Sequence, residues 1–345
     1  GVDQCRLKKW VNSTRKSTGR GRPVNRLRFS ILATLLSISC AFASEKPQVP
    51  LGTDSSGKLW FASAGSIVKA AEAGRYVVSN EPVILSGELQ FPPGTGPFPV
   101  VVLAHTCAGL GYGELTWVPR LQQWGYATFV VDSFGGRGIG SVCSDLWQLL
   151  PFQRVPDLYG ALRILATHPK IDASNAFLMG FSHGAIASGN AATMWAKDLY
   201  ASADRPHFRA FIPFYPYCNS RYPEREALSA PLRIHIGEVD DWTPAKPCQE
   251  WVDGLRARGY DATIAVYPGA HHAFDMPIGF ARRISGVTNV AGCSPQYASI
   301  LGPLDLERNF SGCTTTGATA GRNTEAIEQA AQTLRKQLDE LRRSD

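Results

Sequence analysis

The 345 residues are 44% hydrophobic, enough for one large α/β domain with a sizeable core. The formal net charge of +6 invites a nucleic-acid partner, but nine of the 35 Lys and Arg, and only one of the 29 acids, fall in residues 1–43. The remainder holds 26 basic against 28 acidic residues, so the basic pI belongs to the leader and no nucleic-acid partner is expected of the body.

The leader joins a basic region to an apolar run, Phe29 to Phe42, and to Ala41-Phe42-Ala43, a small-x-small cleavage pattern. Residues 1–44 are therefore expected to be a signal peptide cut near Ala43 or Ser44, giving a secreted or periplasmic protein. About 14 apolar residues fall short of the ~20 that a membrane span needs. Lipid attachment at Cys40 is the alternative, disfavoured by Ser37 where a large aliphatic residue would be expected. Export leaves six cysteines, an even number that favours disulfides in an oxidising compartment. Spacing cannot fix the connectivity among 15 possible pairings. The expected pairs are Cys218 with Cys248, Cys293 with Cys313, and Cys107 with Cys143, against buried free thiols.

Residues 45–345 are expected to form a single α/β domain. After a poorly patterned entry (45–75), Pro82 to Phe91 alternates like an antiparallel strand, and Val100 to Ala104 is a continuous apolar run of the kind a central parallel strand needs. His105-Thr106-Cys107-Ala108-Gly109 follows as a loop. Glu114 to Trp124 reads as a helix closed by Gly125, and Ala127 to Asp132 as a strand. The glycines of GGRGIG, Gly135 to Gly140, do not match GxGxxG, so no dinucleotide cofactor is expected. Pro156 to Thr167 reads as a helix, Ala176 to Met179 as a buried strand, and Ala185 onward as a helix. Strands at Arg209 to Tyr215, Leu232 to Gly237 and Thr263 to Tyr267 bracket a helix from Ala245 to Arg258. Strands alternating with helices at this interval imply a doubly wound, mostly parallel sheet with helices on both faces. Residues 277–322 form a Cys-bearing insertion without clear periodicity, which a disulfide could fix as a flap. The last helix, Thr324 to Arg343, has a solvated charged face.

Between the buried strand and its helix stands Gly180-Phe181-Ser182-His183-Gly184, a GxSxG pentapeptide. A turn tight enough to push a serine oxygen out over a sheet would make side chains two residues away collide, so glycine is needed at both flanks. Strand, GxSxG and helix in this order form the nucleophile elbow of the α/β-hydrolase fold. A serine hydroxyl is a weak nucleophile, and it needs a base that an acid orients. Two strand ends offer them: Asp240 and Asp241 in GEVDDWTP, His271 and His272 in PGAHHAF. The order Ser, Asp, His is that of the α/β-hydrolases, and chemistry in such sheets gathers at the C-terminal strand ends.

From about Val83 to the histidine loop the chain resembles the dienelactone hydrolase family, in particular exported members bearing serine. The resemblance implies Ser182 as nucleophile. GxxDxxxP selects Asp240 over Asp241, and the histidine two before Phe selects His272 over His271. HTCAG implies the backbone N–H of Cys107 as one oxyanion donor, with that of His183 as the second. The namesake enzymes carry cysteine at the elbow, so their substrates do not transfer directly. Arg137 is a candidate for holding a substrate carboxylate, with a structural ion pair as its rival role. Tyr112, Trp117 and Trp242 are candidates for lining an apolar pocket, with core packing as theirs. Neither HExxH nor CxxC accompanies the His pair, so no metal is expected. The function expected is cleavage of small-molecule carboxylic esters or lactones without a cofactor. The rivals are a peptidase related to the prolyl oligopeptidases, for whose gating domain the chain has no room, and a non-catalytic binding protein on the same scaffold.

Overall fold

The computed structural model describes residues 49–70, 74–302 and 309–342. The leader, with Cys40 and the expected cleavage site, lies outside them. In chain order the elements are β1 (Gly57–Ala62), β2 (Ser66–Lys69), β3 (Tyr76–Ser79), β4 (Ile84–Gln90), β5 (Phe98–Ala104), α1 (Gly113–Gln123), β6 (Ala127–Asp132), α2 (Val155–Leu165), β7 (Ile171–Phe181), α3 (His183–Ala191), α4 (Met194–Tyr200), β8 (Ala210–Phe214), β9 (Leu232–Gly237), α5 (Ala245–Ala257), β10 (Ala262–Tyr267), β11 (Arg282–Asn289), β12 (Thr315–Ala320) and α6 (Thr324–Leu341).

Eight strands form the main sheet in the order β1-β4-β6-β5-β7-β8-β9-β10. Only the β1/β4 and β4/β6 pairs are antiparallel. Every residue of β5, β8 and β9 is buried, which is why β5 and β8 read as continuous apolar runs, whereas β9 buries Arg233 and His235 between its apolar residues. Parallel pairing sets Val100 opposite Ala176 and Ala104 opposite Gly180. The His105 loop and the elbow therefore leave the sheet side by side. Helix α6 buries Ile327, Ala331, Leu334 and Leu338, and the Asn323 side chain caps its start by accepting from the N–H of Ala326.

Two stretches hold more order than the sequence announces. The entry contains β1, with only Leu59 and Phe61 buried on one face, and the separate β2/β3 hairpin. Residues 277–322 contain the β11/β12 hairpin, whose register shifts between Ile284 and Thr288. Strands this short, one of them Thr- and Gly-rich, carry too few apolar positions to show a period.

The three cysteine pairs form as expected, Cys107–Cys143, Cys218–Cys248 and Cys293–Cys313.

Candidate active site

Ser182 stands between β7 and α3 with φ 51° and ψ −113°, a strained backbone for a residue other than glycine. Its neighbours show why the turn closes there. A Cβ on Gly180 would lie 2.2 Å from the carbonyl oxygen of Gly184, and one on Gly184 would lie 2.2 Å from that of Ala104. The missing side chains let α3 start against the end of β5, and the N–H of Ser182 is held by the carbonyl of Phe214 at 3.0 Å.

The loops after β9 and β10 bring an acid and an imidazole to this serine. His272 Nε2 lies 2.9 Å from Ser182 Oγ, and His272 Nδ1 lies 2.8 Å from Asp240 Oδ2. Asp240 is fixed as an Asx turn, its Oδ1 accepting from the N–H groups of Trp242 at 2.9 Å and Thr243 at 2.8 Å. The Thr243 hydroxyl is 2.9 Å from Asp240 Oδ2 and 3.0 Å from His272 Nδ1. With its other oxygen so occupied, Asp240 presents Oδ2 to the imidazole, and both groups are buried, where such bonds are strengthened. The rings of Trp242 and Tyr215 flank His272, each 4.8 Å between centroids.

Asp241 and His271 take other places. Asp241 accepts from the N–H and the hydroxyl of Thr319 in β12, at 2.7 and 3.0 Å. His271 points its Nδ1 into a buried position with no partner among the described residues. Neither joins the Ser182 cluster.

Ser182 opens onto a cavity of about 130 Å³. Cys107 and His183, the two residues expected to supply oxyanion amides, line it beside the serine, as do Trp242 and Thr243. One wall is the face of α3 carrying Ile186 and Asn190, four and eight residues on from Ser182, so the cavity runs roughly 12 Å along the helix. The surrounding walls are mostly apolar, with several aromatic rings among them, and the far end meets Asn190, Tyr222 and Arg225.

Val290, Tyr297, Ile300 and Phe310 of the insertion also line this space, so the segment without visible period is its roof. The roof is tied to each of the loops that carry the site. Trp242 Nε1 donates to the Thr288 carbonyl at 2.9 Å, and the Thr288 N–H donates to the Cys143 carbonyl at 2.9 Å, one disulfide away from Cys107. The N–H of Gly321 donates to the His272 carbonyl at 3.0 Å.

Three candidates lie elsewhere. Arg137 gives two hydrogen bonds of 2.8 Å to the buried carboxylate of Asp157, so it is a structural ion pair and does not reach the cavity. Tyr112 precedes α1 and is not among the cavity residues. Trp117 is buried in the core, where it and Tyr215 each donate to the Asp275 carboxylate at 2.7 Å. Burial pushes Asp275 up to about 6. Sequence reasoning missed Thr243 and Tyr215. Thr243 was findable, since an Asp just after a strand favours an Asx turn that draws the following residues onto its carboxylate. The sequence shows Tyr215 only as the end of a strand, and nothing local marks its positive φ of 44°.

Among known proteins, the description Dienelactone hydrolase family matches residues 85–281. A Yersinia pestis protein bearing the name carboxymethylenebutenolidase is 26% identical over 197 residues, covering 52% of this chain and 70% of that protein. The human acylamino-acid-releasing enzyme is 22% identical over 218 residues, which are 53% of this chain but 29% of that enzyme. The crystal structure of a Klebsiella pneumoniae subsp. pneumoniae protein named as a dienelactone hydrolase superposes with a TM-score of 0.51 at 17% identity, covering 82% of this chain and 98% of that one.

Proposed function

The chain belongs to the dienelactone hydrolase family and is an enzyme of the serine-hydrolase type, and from that membership we propose that it cleaves carboxylic esters or lactones through Ser182, His272 and Asp240. The observation that carries this is the continuous relay from Ser182 Oγ to His272 Nε2 and from His272 Nδ1 to Asp240, at 2.9 and 2.8 Å.

Asp240 accepts a hydrogen bond from Nδ1–H, which keeps that proton on Nδ1 and leaves the Nε2 lone pair facing the serine. As Oγ bonds to the substrate carbonyl carbon, its proton passes to Nε2, and the N–H groups of Cys107 and His183 hold the negative oxygen. His272 then gives the proton to the leaving oxygen as the C–O bond breaks, and the acyl group stays on Ser182. Water attacks that ester, passing its proton to His272, which returns it to Oγ as the acid departs. The mostly apolar cavity along α3 suits an apolar acyl arm. The three disulfides support export to an oxidising compartment. Among the described residues no helix is long and apolar enough to cross a membrane.

The test is hydrolysis of p-nitrophenyl esters from acetate to decanoate by the wild type and by Ser182→Ala. Activity that vanishes in the variant at every length supports the reading. Activity absent throughout, or unchanged by the substitution, refutes it and favours a peptidase or a binding protein. The mass of the mature N-terminus tests export: a chain that keeps residues 1–43 is against it.

A further inference from the structure

Beneath the elbow lies a buried cation that this reaction scheme leaves without a task. Arg154, the residue before α2, has no exposed surface. Among the described residues no carboxylate lies within ion-pair distance of it, and both oxygens of the nearby Asp157 are taken by Arg137. Its Nη1 instead donates to the carbonyl oxygen of His105 at 2.9 Å and to Nδ1 of His183 at 3.0 Å, while Nε and Nη2 have no hydrogen-bond partner among the described residues and the guanidinium lies 5.3 Å from the Phe134 ring centroid.

The two acceptors belong to the two segments expected to hold the oxyanion. His105 opens the loop that carries Cys107, and His183 carries the second amide on its own backbone. His183 is locked as well, because Nδ1 accepts from Arg154 and Nε2–H donates to the Leu149 carbonyl at 2.9 Å. Burial first, and the guanidinium second, hold this histidine down to about 3, so it stays neutral and able to accept. A neutral donor could satisfy the same two acceptors with less desolvation. What the charge adds is positive potential in a dry region, on the side of the site where negative charge develops.

We propose that Arg154 is the positioning residue of the oxyanion hole, fixing the His105 loop against the elbow and biasing both amides towards the transition state. The inference rests on Ser182 being the nucleophile. Its action is therefore on kcat, with little change in KM.

The experiment compares Arg154→Met, Arg154→Lys and His183→Asn with the wild type on p-nitrophenyl acetate, every rate divided by the sites that a fluorophosphonate probe titrates. Binding of phenylboronic acid, which forms a tetrahedral adduct on an active serine, is measured alongside. We expect kcat per titrated site to fall about 10- to 100-fold in Arg154→Met, with KM within about twofold and boronate affinity falling in parallel. Arg154→Lys recovers part of the loss, and His183→Asn reproduces its direction. A merely structural role lowers only the titratable fraction, so kcat per site kept within about twofold in Arg154→Met and His183→Asn overturns the inference. A wild type that neither reacts with the probe nor cleaves esters overturns the assignment of Ser182, and this inference with it.

Discussion

The frame that carries the serine and the roof that covers it are built by different means. In the frame, backbone lies on backbone: α3 touches the end of β5 because Gly184 has no side chain, and Ser182 is held at a φ that only its surroundings sustain. In the roof, short strands are fastened by single backbone bonds, such as Gly321 N–H to the His272 carbonyl, and through side chains, as where Asp241 takes the N–H and hydroxyl of Thr319 and Asn289 Nδ2 donates to the Asp241 carbonyl at 3.0 Å. The difference teaches where each property resides. Chemistry sits in the part that cannot flex, and the shape of the acyl pocket sits in a part fastened by exchangeable contacts.

The comparison is broken hardest at the serine. Ser182→Ala is expected to lower kcat by roughly 10⁴-fold or more while leaving the unfolding midpoint near that of the wild type, as ester kinetics and calorimetry on one preparation would show. Gly184→Val attacks the frame's contact itself. Its Cβ would lie 2.2 Å from the Ala104 oxygen and 2.5 Å from the His105 oxygen, and a loss of roughly 3 kcal/mol or more is expected from denaturant unfolding. An equally stable variant would mean that the backbone there yields.

Acid separates the two regions by chemistry. His105, His183 and His235 are buried in the frame and residues 277–322 contain no histidine. Burial holds His183 down to about 3, His235 to about 4 and His105 well below its ordinary value. The unfolded chain binds these protons first, so stability is lost as pH falls below about 6.5, by about 2 kcal/mol each for His183 and His235 at pH 5, with His105 acting in the same direction. Asp275, raised to about 6, acts in the opposite sense but regains only about 1 kcal/mol between pH 7 and pH 5. The midpoint of unfolding is therefore expected to fall over that interval, and a flat or rising profile would contradict the neutral burial of these histidines.

The roof's own test is Cys293→Ser with Cys313→Ser. Opening a loop of sequence separation 20 is expected to cost about 3 kcal/mol and to raise KM for decanoate severalfold, with acetate turnover changed less than twofold. Equal effects on both esters would show that the roof does not shape the acyl pocket. Asp241→Ala gives the smallest effect, about 1–2 kcal/mol of stability from its lost hydrogen bonds, read by thermal unfolding.

The same contrast explains what could be read from the chain. Parallel strands announce themselves because burial on both faces makes Val100 to Ala104 apolar throughout, and the elbow announces itself because only glycine fits at 180 and 184. Asp240 was separable from Asp241 by motif, and the Asx turn to Trp242 and Thr243 supplies the physical reason. The roof was opaque because its order comes from contacts distant in sequence, such as Tyr217 OH donating to the Cys293 carbonyl at 2.7 Å. For Arg137 the two roles stayed open in the chain for a related reason, since the partner that makes it an ion pair, Asp157, lies 20 residues on and within another element.

Asp240 and Asp241 are adjacent in the chain and serve opposite clients, one the imidazole and the other the hairpin. A graft that replaced residues 277–322 with the corresponding segment of another hydrolase would leave Asp241 and the Trp242 indole without the partners that now hold the acid loop on its outer side. The smallest transplantable piece is thus the insertion together with the turn that contains the acid, and pocket and proton relay would have to be inherited as one cassette.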